Sequence, residues 1–217
     1  MADLTESFIK FSFVPVILIG VYTVTIYLQL PLILKVFAQY IFLSATIQAI
    51  STLLWYLRIN NMPLLHLYTA LGFIFLMRFY ALLLKGYIDS RIIFWSIALF
   101  VLFSIVNAIW IEDIFTFNST SLTLQSILLI IISLFTFNFL LDTIGKERFT
   151  NLSKSFNWIN SGIFFYNSTS LLIFYFGDMF SSQFDVTLNR LTWTLHAFFS
   201  LVMYTCFTIG LWIRPHK

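Results

Sequence analysis

From residue 11 to residue 57 the chain carries a single charge, Lys35, in an otherwise apolar stretch broken only by uncharged polar residues. At about 1.5 Å of rise per helical residue, that run is more than twice as long as one bilayer crossing requires. Runs of the same kind recur to the C-terminus. Hydrophobic residues make up 60% of the chain and charged residues 10%, whereas an ordinary soluble domain is about 25% charged. Little polar sequence is left over, so residues 1–217 read as one all-α integral membrane domain.

Pro31 and Lys35 divide the long run into two spans, 7–28 and 34–57, joined by a tight turn. Five more follow at 63–84, 92–111, 120–141, 156–178 and 191–213, which gives a bundle of seven transmembrane helices. Pro63 suits a first-turn position, where its missing N–H costs nothing. Asp3 and Glu6 stand where a secretory leader would be positive, so the first span reads as a retained helix.

Loop charges set the expected orientation. With the N-terminus outside, the inner side holds Lys35, Lys85, Arg91, Lys146, Arg148, Lys154, Arg214 and Lys217, and the outer side holds Lys10, Arg58 and Arg190. Most acids, among them Glu112, Asp113, Asp178 and Asp185, fall outside. This positive-inside bias predicts an outer N-terminus and a cytoplasmic C-terminus. The abundance of Phe, Ile and Asn fits an AT-rich bacterial gene, and hence a multi-pass protein of the bacterial inner membrane. Trp55, Trp110, Trp158, Trp193 and Trp212 fall near span ends, where indoles favour the headgroup region. The net charge of +3 is spread over loops with no basic stripe, so no nucleic-acid partner is expected.

Polar side chains in hydrocarbon are costly and face a neighbour or a cavity. His66, Asn107, Gln125 and His196 lie at similar depth in four different spans, below a mouth formed by Asn60, Asn61, Asn118 and Ser119. Thr192, His196 and Ser200 recur every four residues and share a helix face, as do Ser121 and Gln125. Two readings stand. One is an outward-facing, water-accessible ligand pocket built from His66, His196, Gln125, Asn107, Asn118, Asn61, Thr192 and Ser121. The other is interhelical glue, with each bond worth about 0.6 kcal/mol. In the pocket reading, the two histidines could respond to pH near about 6.5. Arg78, the one charge well inside a span, either snorkels to the inner surface or pairs within the bundle.

Catalytic patterns are missing. There is no His-Glu-x-x-His, no Gly-x-Ser-x-Gly and no phosphate-cradling glycine loop. Cys206 is alone, which excludes an internal disulfide and a multi-thiolate metal site. Two intramembrane histidines without an intramembrane carboxylate fall short of a catalytic zinc set. The last span has no lysine for a retinal Schiff base. The expectation is a non-enzyme without metal or cofactor.

Four short segments share an order with a known pattern. They are Asn60-Asn61-Met62-Pro63-Leu64-Leu65-His66-Leu67-Tyr68-Thr69, Phe117-Asn118-Ser119-x-Ser121-x-Thr123-Leu124-Gln125-Ser126, Trp158-Ile159-Asn160-Ser161-Gly162 and Trp193-x-x-His196. Together they resemble an uncharacterised bacterial seven-helix family often encoded beside sensor histidine kinases. The resemblance implies a membrane sensing part whose output is a separate kinase, with His66 and His196 on the family pattern. This chain departs from the pattern at Gln48, Gly72 and Gln125, where the family carries acids.

The expected function is therefore a sensor or receptor module without an output domain, contacting a signalling partner through its inner loops. A second copy of the chain is a further possible partner. The alternative is a small-solute transporter built from two three-helix repeats joined by the fourth span.

The orientation is directly testable in a Cys206→Ser background. Asn60→Cys should react with a membrane-impermeant maleimide in intact cells. Lys154→Cys should react only after the membrane is opened, and the reverse pattern would invert the topology.

Overall fold

The computed structural model describes residues 11–146, 150–177 and 186–214. Seven helices run through them: α1 Val14–Ile26, α2 Leu32–Tyr56, α3 Met62–Leu83, α4 Ser90–Val106, α5 Ser119–Lys146, α6 Asn151–Tyr175 and α7 Val186–Trp212. Each falls on one of the seven segments read from the sequence. A 3-10 turn, Tyr27–Gln29, prolongs α1, and a π turn, Asn107–Ile111, prolongs α4. Of the charges used to set the orientation, Asp3, Glu6, Lys10, Arg148, Asp178, Asp185 and Lys217 lie outside the described residues.

Local chemistry explains the boundaries. Pro15 and Pro63 occupy first-turn positions of α1 and α3, where an N–H has no intrahelical partner to lose. The Asp89 carboxylate accepts from the Arg91 backbone N–H at 2.9 Å at the start of α4, and the Thr150 hydroxyl accepts from the Ser153 N–H at 3.2 Å at the start of α6; both are N-caps. Helix α2 ends in a Schellman motif. Arg58 turns left-handed at φ 58°, and the Ile59 N–H returns to the Leu54 carbonyl at 2.9 Å. Pro31 breaks the chain before α2, and Lys35 sits one turn inside that helix with its ammonium 5.8 Å from the Tyr27 ring centre.

Five helical segments are long and apolar enough to cross a bilayer: Leu32–Tyr56, Met62–Leu83, Ser90–Ile111, Ser119–Asp142 and Thr187–Trp212. This is the build of a multi-pass membrane protein. The apolar segment Val14–Gln29 is shorter. Helix α6 is as long as its neighbours but carries Asn157, Asn160, Asn167 and a series of serines. It packs between α5 and α7 in the most extensive packing of the fold. Ser155, Asn160, Asn167 and Ser170 are all buried.

Packing neighbours trace a closed ring in the order α1, α2, α3, α5, α6, α7 and back to α1. Helix α4 lies outside it. It rests on α3 with only a light contact to α5, and Ile92, Phe94, Trp95, Leu99, Leu102 and Ile105 line its outward face.

Two devices hold the ring. The first is close approach at small residues. A Cβ on Gly162 of α6 would lie 2.9 Å from Cys206 Cβ and 3.1 Å from the Met203 carbonyl oxygen of α7. A Cβ on Gly210 of α7 would lie 2.8 Å from Ile159 Cγ1 and 3.0 Å from the Ser155 carbonyl oxygen of α6. Small residues at such contacts drive helix association where lipid removes the hydrophobic advantage. The second device is polar. Arg214 is buried and donates to the Tyr22 hydroxyl at 3.1 Å and to the Gln29 side-chain oxygen at 3.2 Å. It fastens the end of α7 to the end of α1.

The half of the ring near Arg214 is solid. Phe37, Phe79, Tyr80 and Phe207 are completely buried there, with Phe37 edge-on to Phe207 at 4.9 Å between centres and 5.3 Å from Phe79. Tyr80 donates to Asn160 Oδ1 at 2.9 Å and meets Ser133 Oγ at 2.9 Å. The Asn160 amide donates to the Ser133 carbonyl at 3.1 Å. One polar knot thus ties α3, α5 and α6 with its hydrogen bonds satisfied inside an apolar plug. Arg78 is exposed on the outside of the bundle, one turn and a half before α3 ends, as snorkelling requires.

Replacing Gly162 by Leu should force α6 and α7 apart and cost about 1–3 kcal/mol. A lowered unfolding midpoint in lipid nanodiscs reads this out, with Leu99→Ile on the open face of α4 as the unaffected control.

Candidate functional site

The other half of the ring is hollow. A cavity of about 630 Å³ lies between the helices at the end that carries the α2–α3 and α4–α5 connections. Its walls come from α1, α2, α3, α5, α6 and α7, and α4 contributes nothing. Leu76, Leu129, Ile163 and Met203 form its floor just above the aromatic plug, and Trp55, Asn61, Phe117 and Trp193 stand near its mouth.

Tyrosine hydroxyls organise the deep wall. The Tyr40 and Tyr68 hydroxyls meet at 3.0 Å, and Ser44 Oγ meets the Tyr68 hydroxyl at 3.0 Å. The two rings stack with centres 6.5 Å apart. On the opposite side the Tyr166 hydroxyl meets His196 Nε2 at 2.9 Å. The imidazole is boxed by the edges of Tyr166, Phe174 and Trp193, with centres 5.6, 5.6 and 5.8 Å away. Phe117 then packs edge-on against Trp193 at 5.3 Å. Helix periodicity produces this wall: His196, Ser200 and Tyr204 recur every four residues on α7, and Tyr40, Ser44 and Gln48 do so on α2, and all six line the cavity.

Helix α5 brings the unpaired groups. Gln125 and Ser126 both line the cavity, and Gln125 Oε1 and Ser126 Oγ are buried without a hydrogen-bond partner. Ser126 is 1% exposed. A polar atom left in this state weakens the fold, and such atoms are uncommon unless water or a ligand completes them.

The residues expected from sequence divide into two groups. His196, Gln125 and Asn61 line the cavity, and Asn61 is held by Ser51 Oγ at 2.6 Å. His66, Asn107, Asn118, Ser121 and Thr192 are buried but lie off the cavity wall. His66 Nε2 meets the Thr116 carbonyl at 3.2 Å in the α4–α5 connection, and its Nδ1 is unpaired. The two histidines therefore have different surroundings, and of the two His196 lines the cavity. Thr192 donates to its own helix at Leu188, and the Ser121 hydroxyl is buried and unpaired within the packing.

Asn107 and Asn118 belong to a structural relay. The Asn107 amide donates to Glu112 Oε2 at 2.8 Å and to Asn118 Oδ1 at 3.2 Å. The Asn118 amide reaches Thr69 Oγ1 at 3.3 Å. Glu112 Oε1 accepts from both the backbone N–H and the hydroxyl of Thr120 at the start of α5, at 2.9 and 2.8 Å. The π turn after α4 swings Asn107 fully inward. The relay fastens α4 to α3 and α5, which is the work of glue.

Sequence reasoning missed Tyr40, Tyr68, Tyr166 and Tyr204. A signal for one of them was present, since carrying the His196 and Ser200 stripe four residues further reaches Tyr204. Trp55 and Trp193 both line the cavity near its mouth, and Trp55, Trp110, Trp158 and Trp212 are exposed on the bundle. Among the described residues no three His, Cys, Asp or Glu side chains come together as a metal-binding group. What the arrangement offers is recognition: aromatic edges, a hydroxyl network and unclaimed hydrogen-bonding capacity on α5.

Asn107→Leu should lower stability by about 1–3 kcal/mol because it strands Glu112 and Asn118. Gln125→Leu should leave stability unchanged or raise it, since its oxygen has no partner to lose. Unfolding midpoints of the two variants in nanodiscs decide between structural and ligand-facing roles. No protein-family model, curated protein or solved structure matches the chain.

Proposed function

We propose that this chain is the membrane-embedded receptor part of a signalling system. In this reading all seven helices cross the bacterial inner membrane, with the N-terminus outside and the C-terminus in the cytoplasm. The cavity then opens outward, and a small molecule enters it from that side. The output belongs to a separate protein, for which the resemblance to a family encoded beside sensor histidine kinases suggests a kinase. The observation that carries the reading is the blind cavity: hollow and incompletely satisfied at one end, sealed by the Phe37, Phe79 and Phe207 plug at the other. A one-ended site inside a closed ring suits a receptor, whose ligand biases the packing of surrounding helices without passing through.

The ring also favours a second reading. Helices α1–α3 and α5–α7 form two consecutive triplets around the cavity, with α4 outside as a connector. That is the arrangement of a carrier made from two three-helix repeats, caught open to one side.

One pair of experiments separates the two. A photo-crosslinking residue replacing Tyr87, which is exposed in the α3–α4 turn, should capture a signalling protein in native membranes. Mass spectrometry of the adduct identifies it. Recovery of the chain alone, together with solute flux in proteoliposomes, would favour the carrier.

A further inference from the structure

The cavity wall carries no formal charge. Among its described lining residues there is no Asp, Glu, Lys or Arg, and His196 is the one titratable group besides the tyrosines. Five of the wall's polar groups are already matched: Tyr40 with Tyr68, Ser44 with Tyr68, and Tyr166 with His196. Two cavity-lining residues of α5 carry buried polar atoms without a hydrogen-bond partner, Gln125 Oε1 and Ser126 Oγ, adjacent in sequence. A carboxamide oxygen only accepts, so whatever completes Gln125 brings an N–H or O–H. The same cavity is lined by the rings of Phe117, Trp193, Phe174 and Tyr166, and such rings pack on other rings edge-to-face or offset. The volume of about 630 Å³ falls within the range of sites for small organic ligands. A full charge placed here would lose its water and meet no counter-ion.

We propose that this cavity binds an uncharged small molecule that presents an aromatic ring to the Trp193 side and donates a hydrogen bond to Gln125, with Ser126 as its second contact. The proposal rests on the cavity being a ligand site, which the receptor and the carrier have in common. It adds the class of molecule: neutral, planar in part, and a hydrogen-bond donor at one edge.

The test uses the full chain in nanodiscs and three probes on one skeleton: naphthalene carboxamide, naphthalene carboxylate and naphthylmethylammonium. Equilibrium dialysis against empty nanodiscs subtracts partition into lipid. The carboxamide should bind at least about tenfold more tightly than either ion. Gln125→Leu should weaken it about tenfold, Ser126→Phe should abolish it by filling the space, and Asn138→Ala on the exposed side of α5 should leave it unchanged. Unfolding midpoints confirm that each variant is folded. Tighter binding of the carboxylate or the ammonium, or a Gln125→Leu variant that binds like the parent, overturns the proposed ligand class while leaving a ligand site in place. If none of the three probes binds the parent chain above empty discs, the ligand-site reading falls and the proposal falls with it.

Discussion

Inside a bilayer there is no water to hydrogen-bond a polar side chain, so every such group on a spanning helix must find its partner within the protein. Helix α6 shows what this requirement does to the whole bundle. It carries asparagines and serines along its length, and Ser155, Asn160, Asn167 and Ser170 are buried where it packs between α5 and α7. Gly162 and Gly210 let α7 approach it closely, and Asn160 joins Tyr80 and Ser133 across three helices. Once α6 is fixed inside, the order of the remaining helices around the ring follows from short connections and from the Arg214 contacts that join the last helix to the first.

The two halves of the ring solve the packing problem differently. Near Arg214, large rings from α2, α3, α6 and α7 fill the axis and leave no room. Toward the other end, the same helices carry serine, glutamine and asparagine on their inner faces, and the tyrosines brace one wall against another through their hydroxyls. Gln125 and Ser126, which line the space they keep open, each carry a buried polar atom with no partner. A chain optimised for stability alone would replace Gln125 and Ser126 with leucine or alanine.

Helix placement was legible because hydropathy and proline position report on single segments. Every expected span holds a helix, and Pro31 and Pro63 mark a break and a start as read. The polar inventory was legible too, but its division was not. His66, Asn107 and His196 look alike in one dimension, all one or two turns inside a span. Which of them faces the axis depends on how each helix is rotated about its own long axis, and that rotation is set by neighbours distant in sequence. The π turn that swings Asn107 inward leaves no mark in hydropathy. The tyrosines were passed over for the opposite reason. A ring that reads as core filler from composition becomes a polar wall once Ser44 or His196 faces its hydroxyl.

The position of α4 bears on parity. Three antiparallel helices leave a chain at the end opposite to where it started, so a second triplet joined directly to the first would run upside down. Helix α4, packed on the rim and absent from the cavity wall, turns the chain back once more. Helix α5 therefore starts at the same end as α1, and α6 and α7 run in the same senses as α2 and α3. A helix absent from the cavity wall thus sets the sense of the second triplet and brings Gln125 and His196 to the level of Tyr68 and Ser44.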